Sequence, residues 1–385
     1  RLVINIPDLK AYEDTLQVVG ELSCYLTRCE VLCVTGQTLS AQQKSNWPRL
    51  ILVPLARDQF PRRASRWLAK RVQAGPIDII HDLFGHFSGF CERAHSPHRS
   101  YIMVHTQRTT NWGWFERVRP LKYQIDKRYA GQRTQSLWYD TRILHAVDHI
   151  TVMGPGHERD LVNGHQIQEE SVSFIPSETD CSRFKPQKND KSKSLTPTSH
   201  LLYVGAFVRA KGLDLLFNLF ADLGHSDPQL TLTLIGRETP FERRWFRNKI
   251  TNHPFTERII RHDFMERSAL IEHYQTARLF IFPSLFEGSP RALREAIACG
   301  TPAIASDIPG HRGIDPHGKF ISFVDPHDYP NWLATTRSLL SESDLERQAR
   351  TQRGIHWLNT YHNPRAVAHQ WLSLYQKIAE QRQLS

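Results

Sequence analysis

Residues 279–306, LFIFPSLFEGSPRALREAIACGTPAIAS, decide the fold class. A short apolar run ends at Pro283, Ser289-Pro290 opens a helical pattern from Arg291 to Cys299, and Gly-Thr-Pro leads into a second apolar run. Proline suits the first turn of a helix because it has no N–H to leave unpaired. A helix between two strands returns the chain to the end of the sheet where it began, so the strands lie parallel.

The same alternation runs outward from this stretch. Before it come LLYVGAF, a helix over 212–223, LTLTLIG, a helix over 240–252, RIIRHDF and a helix over 268–277; after it comes KFISFV. The first half repeats the scheme with RLVINI, a helix over 16–26, EVLCVT, LILVPL, DIIHDL, YIMVH, HITVM and SVSFIP. Short Val, Ile and Leu runs separated by helices predict mostly parallel sheets covered on both faces, an α/β, doubly wound layout in each half. Between the halves, KPQKNDKSKSLTPTS at 185–199 holds almost nothing apolar and reads as a linker. The expected domains are therefore 1–184 and 200–363. A tail at 364–385 carries a helical pattern with Val367, Trp371, Leu374, Tyr375 and Ile378 on one face.

A chain of 385 residues suits two cores better than one, and 40% apolar with 23% charged residues excludes a largely disordered chain. No apolar run approaches the ~20 residues of a membrane span. RLVINIPDL reads as a first strand and lacks the order of a signal peptide, which predicts a cytoplasmic protein. The six cysteines form no C-x-x-C pair and read as buried free thiols, and His95 and His98 sit in a polar loop without further ligands. The formal net charge of +10 is concentrated: residues 44–133 hold seventeen Lys and Arg against six Asp and Glu.

Ligands of open α/β sheets bind beyond the carboxyl ends of the strands. Two junctions qualify, GAFVRAKG and SLFEGSP. The first places the Lys211 ammonium near a helix start. The second presents a helix N-terminus, whose free N–H groups and roughly half positive charge suit a phosphate. Glu287 and Glu295 would repel phosphate, but an ionised carboxylate accepts two hydroxyl hydrogen bonds at once and so suits ribose and sugar hydroxyls. Phosphate at a helix end with hydroxyls on both flanks describes a sugar nucleotide. The plainer reading is that Glu287 is a solvated loop residue and Glu295 a helix-surface residue, since glutamates eight apart are common. Against it stands the company of Pro-Ser, Glu-Gly, Ala-Cys-Gly-Thr-Pro and a following strand in one stretch.

FPSLFEGSPRALREAIACGTPAIAS resembles the signature of glycosyltransferase family 4, retaining enzymes of the GT-B fold whose two Rossmann-like doubly wound domains face a central cleft. Its E-x7-E pair matches Glu287 and Glu295, and LLYVGAFVRAKGLDLL is similar to the family's strand and phosphate-binding lysine. The resemblance implies a nucleotide-diphosphate sugar donor, a hexose-type sugar, a glycan or lipid-linked acceptor and a place in cell-envelope polysaccharide or glycolipid synthesis. It implies catalytic roles for Glu287 at the donor sugar, Lys211 against the diphosphate and His105 at the sugar's reacting face. It gives Glu295 the ribose hydroxyls, and completes the donor site with the backbone around Gly205, Gly288, Ser289, Pro290, Arg291 and Ala292. It also implies that the C-terminal helix crosses back onto the first domain. With no D-x-D motif in the chain, no metal and no cofactor are expected.

Three positions depart from the family pattern. Ala206 stands where an arginine is usual, which turns attention to Arg209 as its substitute; Ser177-Glu178 replaces Asn-Gly; and Pro7, Asp8, Leu9 and Lys10 replace a glycine-rich loop. A noncatalytic relative that binds a nucleotide sugar or a polysaccharide is the competing expectation. The basic segment suggests a further partner. In PRRASRWLAKRV, Trp67, Leu68 and Val72 share a face ringed by Arg62, Arg63, Arg66, Lys70 and Arg71, which suits an anionic membrane surface or acceptor on the inner side of the cell membrane. WGWFERVRPLKYQIDKRY adds aromatics among cations, but no motif that reads nucleic acid specifically occurs.

Overall fold

The computed structural model describes residues 1–85, 87, 90, 99–108, 141–187, 200–263 and 265–384. They divide into two compact units, one drawing on residues 1–108, 141–178 and 361–384, the other on 179–360. The sequence from Trp112 to Tyr129 with its interleaved aromatics, the His95 and His98 pair, and residues 188–199 of the linker lie outside the described residues.

The first unit is built on a seven-stranded parallel sheet in the order β3-β2-β1-β4-β5-β6-β7. Its strands are β1 Leu2–Asn5, β2 Cys29–Val34, β3 Leu50–Leu55, β4 Ile79–Asp82, β5 Ile102–Gln107, β6 His149–Val152 and β7 Val172–Phe174. The second unit has six parallel strands in the order β10-β9-β8-β11-β12-β13. These are β8 His200–Val204, β9 Thr231–Ile235, β10 Ile259–His262, β11 Leu279–Phe282, β12 Ala303–Ser306 and β13 Ile321–Val324. Each apolar run singled out above forms one strand. In both sheets the order reverses beside the first strand, between β1 and β4 and between β8 and β11. There successive helices leave to opposite faces and open a crevice at the strand ends.

In the first unit, α1 (Glu13–Ser23), α2 (Ala41–Asn46), α3 (Phe60–Arg71) and α4 (His157–His165) flank the sheet. In the second these are α5 (Leu213–Ser226), α6 (Arg243–Thr251), α7 (Arg267–Thr276), α8 (Arg291–Ala298), α9 (Pro309–Arg312), α10 (Tyr329–Ser341) and α11 (Asp344–Trp357). Helix α1 starts three residues earlier than its apolar pattern, where Glu13 and Asp14 in the first turn favour a helix N-terminus. Helix α11 begins at a capping box in which Ser343 and Glu346 satisfy each other's backbone N–H groups.

The chain ends in α12 (Pro364–Leu384), part of the first unit. Val367, Ala368, Trp371, Leu374, Tyr375 and Ile378 pack in one core with Leu16, Val19 and Leu22 of α1. Fully burying such a side chain contributes roughly 1.5–3 kcal/mol, so this helix is integral to that core. Beneath it the His81 ring lies between Tyr375 Oη (2.6 Å from Nδ1) and Thr106 Oγ1 (2.8 Å from Nε2). Burial drives the His81 pKa down to about 3, so this ring is neutral.

Helix α3 turns out differently from the expected membrane helix. Leu68 is buried, and Trp67 and Val72 pack against the core of the first unit, so its apolar face is already covered. Arg71 donates to the buried carboxylate of Glu30 at 2.7 Å, and Arg63 donates to Asp58 at 2.8 Å. Arg62, Arg66 and Lys70 are left exposed, a cationic surface without an apolar anchor.

Candidate active site

The crevice between β8 and β11 is shaped by backbones that approach too closely for side chains. A Cβ on Gly236 would lie 1.8 Å from the Gly205 carbonyl oxygen, which holds the ends of β8 and β9 together. Gly212 has φ +72°, and a Cβ there would lie 1.9 Å from the carbonyl oxygen of Pro283. Beside it, the Leu285 N–H donates to the Ala210 carbonyl at 2.9 Å and ties the loop after β8 to the loop after β11.

This closure brings together two of the residues singled out in the sequence. Lys211 Nζ lies 2.5 Å from Glu287 Oε1, which also accepts from Ser284 Oγ at 2.9 Å. The Lys211 side chain is 26% exposed and the Glu287 side chain 11%, so solvent reaches the pair. Gly310 supports it from behind, since a Cβ there would lie 2.2 Å from the Glu287 carbonyl oxygen. The next residue, His311, is fully buried beside the Phe282 ring and donates from Nδ1 to the Ser306 carbonyl at 2.7 Å. Burial lowers its pKa to about 4 against the opposing pull of Glu287, so the imidazole is neutral. Its Nε2 is buried and meets no hydrogen-bond partner among the described residues.

Pro290 stands at the N-cap of α8, without a side-chain cap or an acidic residue in the first turn. The entry loop is held by Arg294, whose buried guanidinium donates to the Ser289 carbonyl at 2.9 Å, to Ser289 Oγ at 2.5 Å and to Thr179 Oγ1 at 3.0 Å. Helix N–H groups in such a setting suit an anion.

The two glutamates paired by spacing have different surroundings. Glu295 is 3% exposed, and its Oε1 accepts from Arg267 Nη2 at 2.9 Å and Nε at 3.2 Å while Oε2 accepts from Tyr274 Oη at 3.1 Å. The carboxylate is a strut between α7 and α8, where the sequence reading had it open to ribose hydroxyls. Arg209 is likewise placed elsewhere than expected. Its guanidinium lies 4.8 Å over the Trp245 ring and its backbone N–H donates to Glu242 Oε2 at 2.5 Å. Stacked there, its guanidinium is engaged by Trp245, whereas the Lys211 ammonium lies at the crevice.

The first unit fills its own switch point with polar side chains. Asn5 Nδ2 donates to Asp82 Oδ1 at 2.7 Å, and Asn5 Oδ1 accepts from the N–H groups of Leu83 and Phe84 at 2.9 and 3.1 Å. His105 Nδ1 lies 3.4 Å from Asp82 Oδ2, and His105 Nε2 lies 2.9 Å from Gln107 Oε1. Burial alone would raise the Asp82 pKa, but bonds from His105 and Asn5 outweigh it and hold the carboxyl below the usual range. In place of a glycine-rich loop, Asp8 accepts from the N–H groups of Lys10 and Ala11, both at 3.1 Å. Sequence reasoning missed Asn5, Asp82, Gln107, Arg294 and His311. Asp82 alone carried a signal, as a carboxylate in the DIIHDL strand end.

Residues 184–355 match the family model described as glycosyl transferases group 1. The D-inositol 3-phosphate glycosyltransferase of Arthrobacter sp. (strain FB24) is 23% identical over 304 residues, 76% of this chain and 70% of the relative. The mannosylfructose-phosphate synthase of Agrobacterium fabrum is 21% identical over 61% of this chain and 52% of its own length. Among solved structures, sucrose-phosphate synthase from Thermosynechococcus elongatus superposes with a TM-score of 0.75 at 18% identity, covering 98% of this chain and 99% of that one. Anabaena HepE, solved with UDP and glucose, gives a TM-score of 0.71 at 14% identity with the same coverage. The fold is GT-B. Together with the family model and the sequence relatives, it supports a glycosyltransferase. Among the described residues no helix is long and apolar enough to cross a membrane.

Proposed function

We propose that this chain is a retaining, metal-independent hexosyltransferase of the family 4 type, moving a sugar from a nucleoside-diphosphate donor to a glycan or lipid-linked acceptor in envelope polysaccharide or glycolipid synthesis. The observation that carries this reading is the Lys211–Glu287 pair at the β8/β11 switch point. An ammonium held by one carboxylate is available to a diphosphate, which offers more negative charge. Once Lys211 turns to the phosphates, Glu287 is free to accept hydrogen bonds from the donor sugar's hydroxyls. Lys211 and the N-terminus of α8 then offset the charge that grows on the leaving diphosphate, which is where preorganised donors lower a barrier most. His105, at the end of β5, is the candidate for the sugar's reacting face, and Glu295 supports the donor site by fixing α8. The exposed Arg62, Arg66 and Lys70 of α3 favour an anionic acceptor, and a cytoplasmic protein resting peripherally on the inner face of the membrane.

The second reading, donor binding without transfer, is favoured by Ala206 together with the stacking of Arg209 on Trp245, which leave Lys211 as the cation at the crevice. The experiment separates the two. Because HepE was solved with UDP-glucose, UDP-glucose is the first donor, with GDP-mannose and ADP-glucose beside it. A bound donor raises the melting temperature by mass action. We expect such a rise and slow donor hydrolysis, with Lys211→Ala or Glu287→Ala lowering turnover by about 10²–10³, the loss typical of one preorganised charge-stabilising group. A melting shift without hydrolysis or transfer selects the second reading. Shift and turnover that survive both substitutions would place the donor elsewhere.

A further inference from the structure

A second concavity in the second unit runs between α5 and α6. Its volume of ≈ 690 Å³ lies within the roughly 300–1,000 Å³ of ligand clefts, and among the described residues no Asp or Glu lines it. Trp245 and Asn248 lie one turn apart on α6, Phe241 precedes the helix and Asn252 is its C-cap, and Asn218 of α5 lines the same groove. Phe241 is 58% exposed. Asn218, Asn248, Asn252 and Arg244 are exposed, and among the described residues none of their side chains is bonded to another.

The other cations of the groove are already engaged. Lys249 Nζ lies 2.7 Å from Asp214 Oδ1, and Arg209 is stacked on Trp245. His253 is structural: its Nε2 donates to the Phe217 carbonyl at 3.0 Å, Nδ1 accepts from the Phe255 N–H at 3.1 Å, and burial lowers its pKa. The groove therefore offers unspent amides, aromatic surface and one unpaired guanidinium.

We propose that this groove binds an anionic glycan chain, a second carbohydrate site that holds a polymer rather than the reacting sugar. A carboxamide donates and accepts at once, as a sugar hydroxyl does, so three exposed amides suit a surface of hydroxyls. The C–H faces of sugar rings lie well on the exposed part of the Phe241 ring. The planar fork of Arg244 suits an acidic substituent such as a uronic acid carboxylate. A membrane would meet protruding residues and has no use for recessed amides. A nucleic acid would require several unpaired cations along its phosphates, where this groove has one.

The test is isothermal titration with hyaluronan oligosaccharides, which alternate a uronic acid with a neutral sugar, against neutral dextran, phosphatidylglycerol vesicles and oligo-dT. Hyaluronan is expected to bind more tightly than dextran. Arg244→Glu and the uncharged change Asn248→Ala should each weaken it by about tenfold, with melting temperature unchanged, as loss of one good hydrogen-bonded contact predicts. The proposal is overturned if hyaluronan does not bind, if dextran binds as tightly, if both variants bind as the wild type does, or if vesicles or oligo-dT bind more tightly and lose that binding in the same variants. Donor hydrolysis read in the same preparations keeps this result separate from the fate of the Lys211 site.

Discussion

At the switch point of the second sheet, glycines bring main chains into contact and leave a charged pair facing solvent; at that of the first sheet, Asn5, Asp82, His105 and Gln107 knit the strand ends together with buried side chains. The strand order around the two points is the same. What differs is whether the crevice is cleared or filled. The phosphate site proposed at the loop of Lys211 would benefit from such bare backbone and a movable cation. A site that must hold an imidazole in one orientation benefits from partners on both ring nitrogens, as His105 has in Asp82 and Gln107.

The strongest way to break this contrast is to put a side chain where the second switch point depends on having none. Gly212→Ala combines a left-handed φ with a Cβ 1.9 Å from a backbone oxygen, and should lower unfolding free energy by about 2–4 kcal/mol in urea titrations. A loss under ~1 kcal/mol would mean that the close approach is not what shapes the crevice.

In the first unit the matching change is to a side chain. Asp82→Ala strips buried donors of their acceptor and should cost about 1–3 kcal/mol. Its pH dependence has a definite sign. Because the folded carboxyl is held below its ordinary value, its contribution is complete at neutral pH and is lost as pH falls through the acidic range below about 3.9. The wild type and Asp82→Ala should converge in stability there, and parallel curves down to pH 2 would contradict the assignment.

The smallest effect sharpens the comparison from the second unit. The His311 imidazole has a folded pKa near 4 against an ordinary 6.5, so the unfolded chain binds the extra proton between those values. Stability from this residue is present above pH 6.5 and drains away toward pH 4, by less than about 1.4 kcal/mol per pH unit for one proton. His311→Asn, which can still donate to Ser306, should flatten the slope in that window. His81 and His149, lowered to about 3 and about 4 by burial, supply the slope that remains together with His165, His200, His253 and His273, which burial also lowers. An unchanged slope would show that His311 is not buried as a neutral base.

The parallel sheets could be read from the sequence because each strand is a local signal, an apolar run bounded by turns, and thirteen such runs became the seven and six strands. Lys211 and Glu287 were legible for a similar reason: each follows a strand end, and strand ends in such sheets point to ligands. The fate of Glu295 was not legible. Its partners Arg267 and Tyr274 lie 28 and 21 residues away, and no local pattern says that α7 will deliver both. The same holds for Arg71, expected in a surface patch and found on Glu30, forty-one residues distant. Arg209 shows a subtler limit. Position placed it beside an expected phosphate site, and the structure shows its flat guanidinium over the Trp245 ring on α6.

The first unit takes its last helix from the end of the chain, and this sets an order of events at the ribosome. Strands β1 to β7 emerge first, yet α12 follows Glu178 by the whole of residues 179–360. At the usual synthesis rates of about 5–20 residues per second, that interval is on the order of 10–40 s. Throughout it the surface meant for Trp371 and Tyr375 has nothing to cover it, and by its close the later-made unit has all its strands in hand. The part translated first is thus the part completed last, and a nascent chain stalled before Pro364 should attract chaperones at its amino-terminal half.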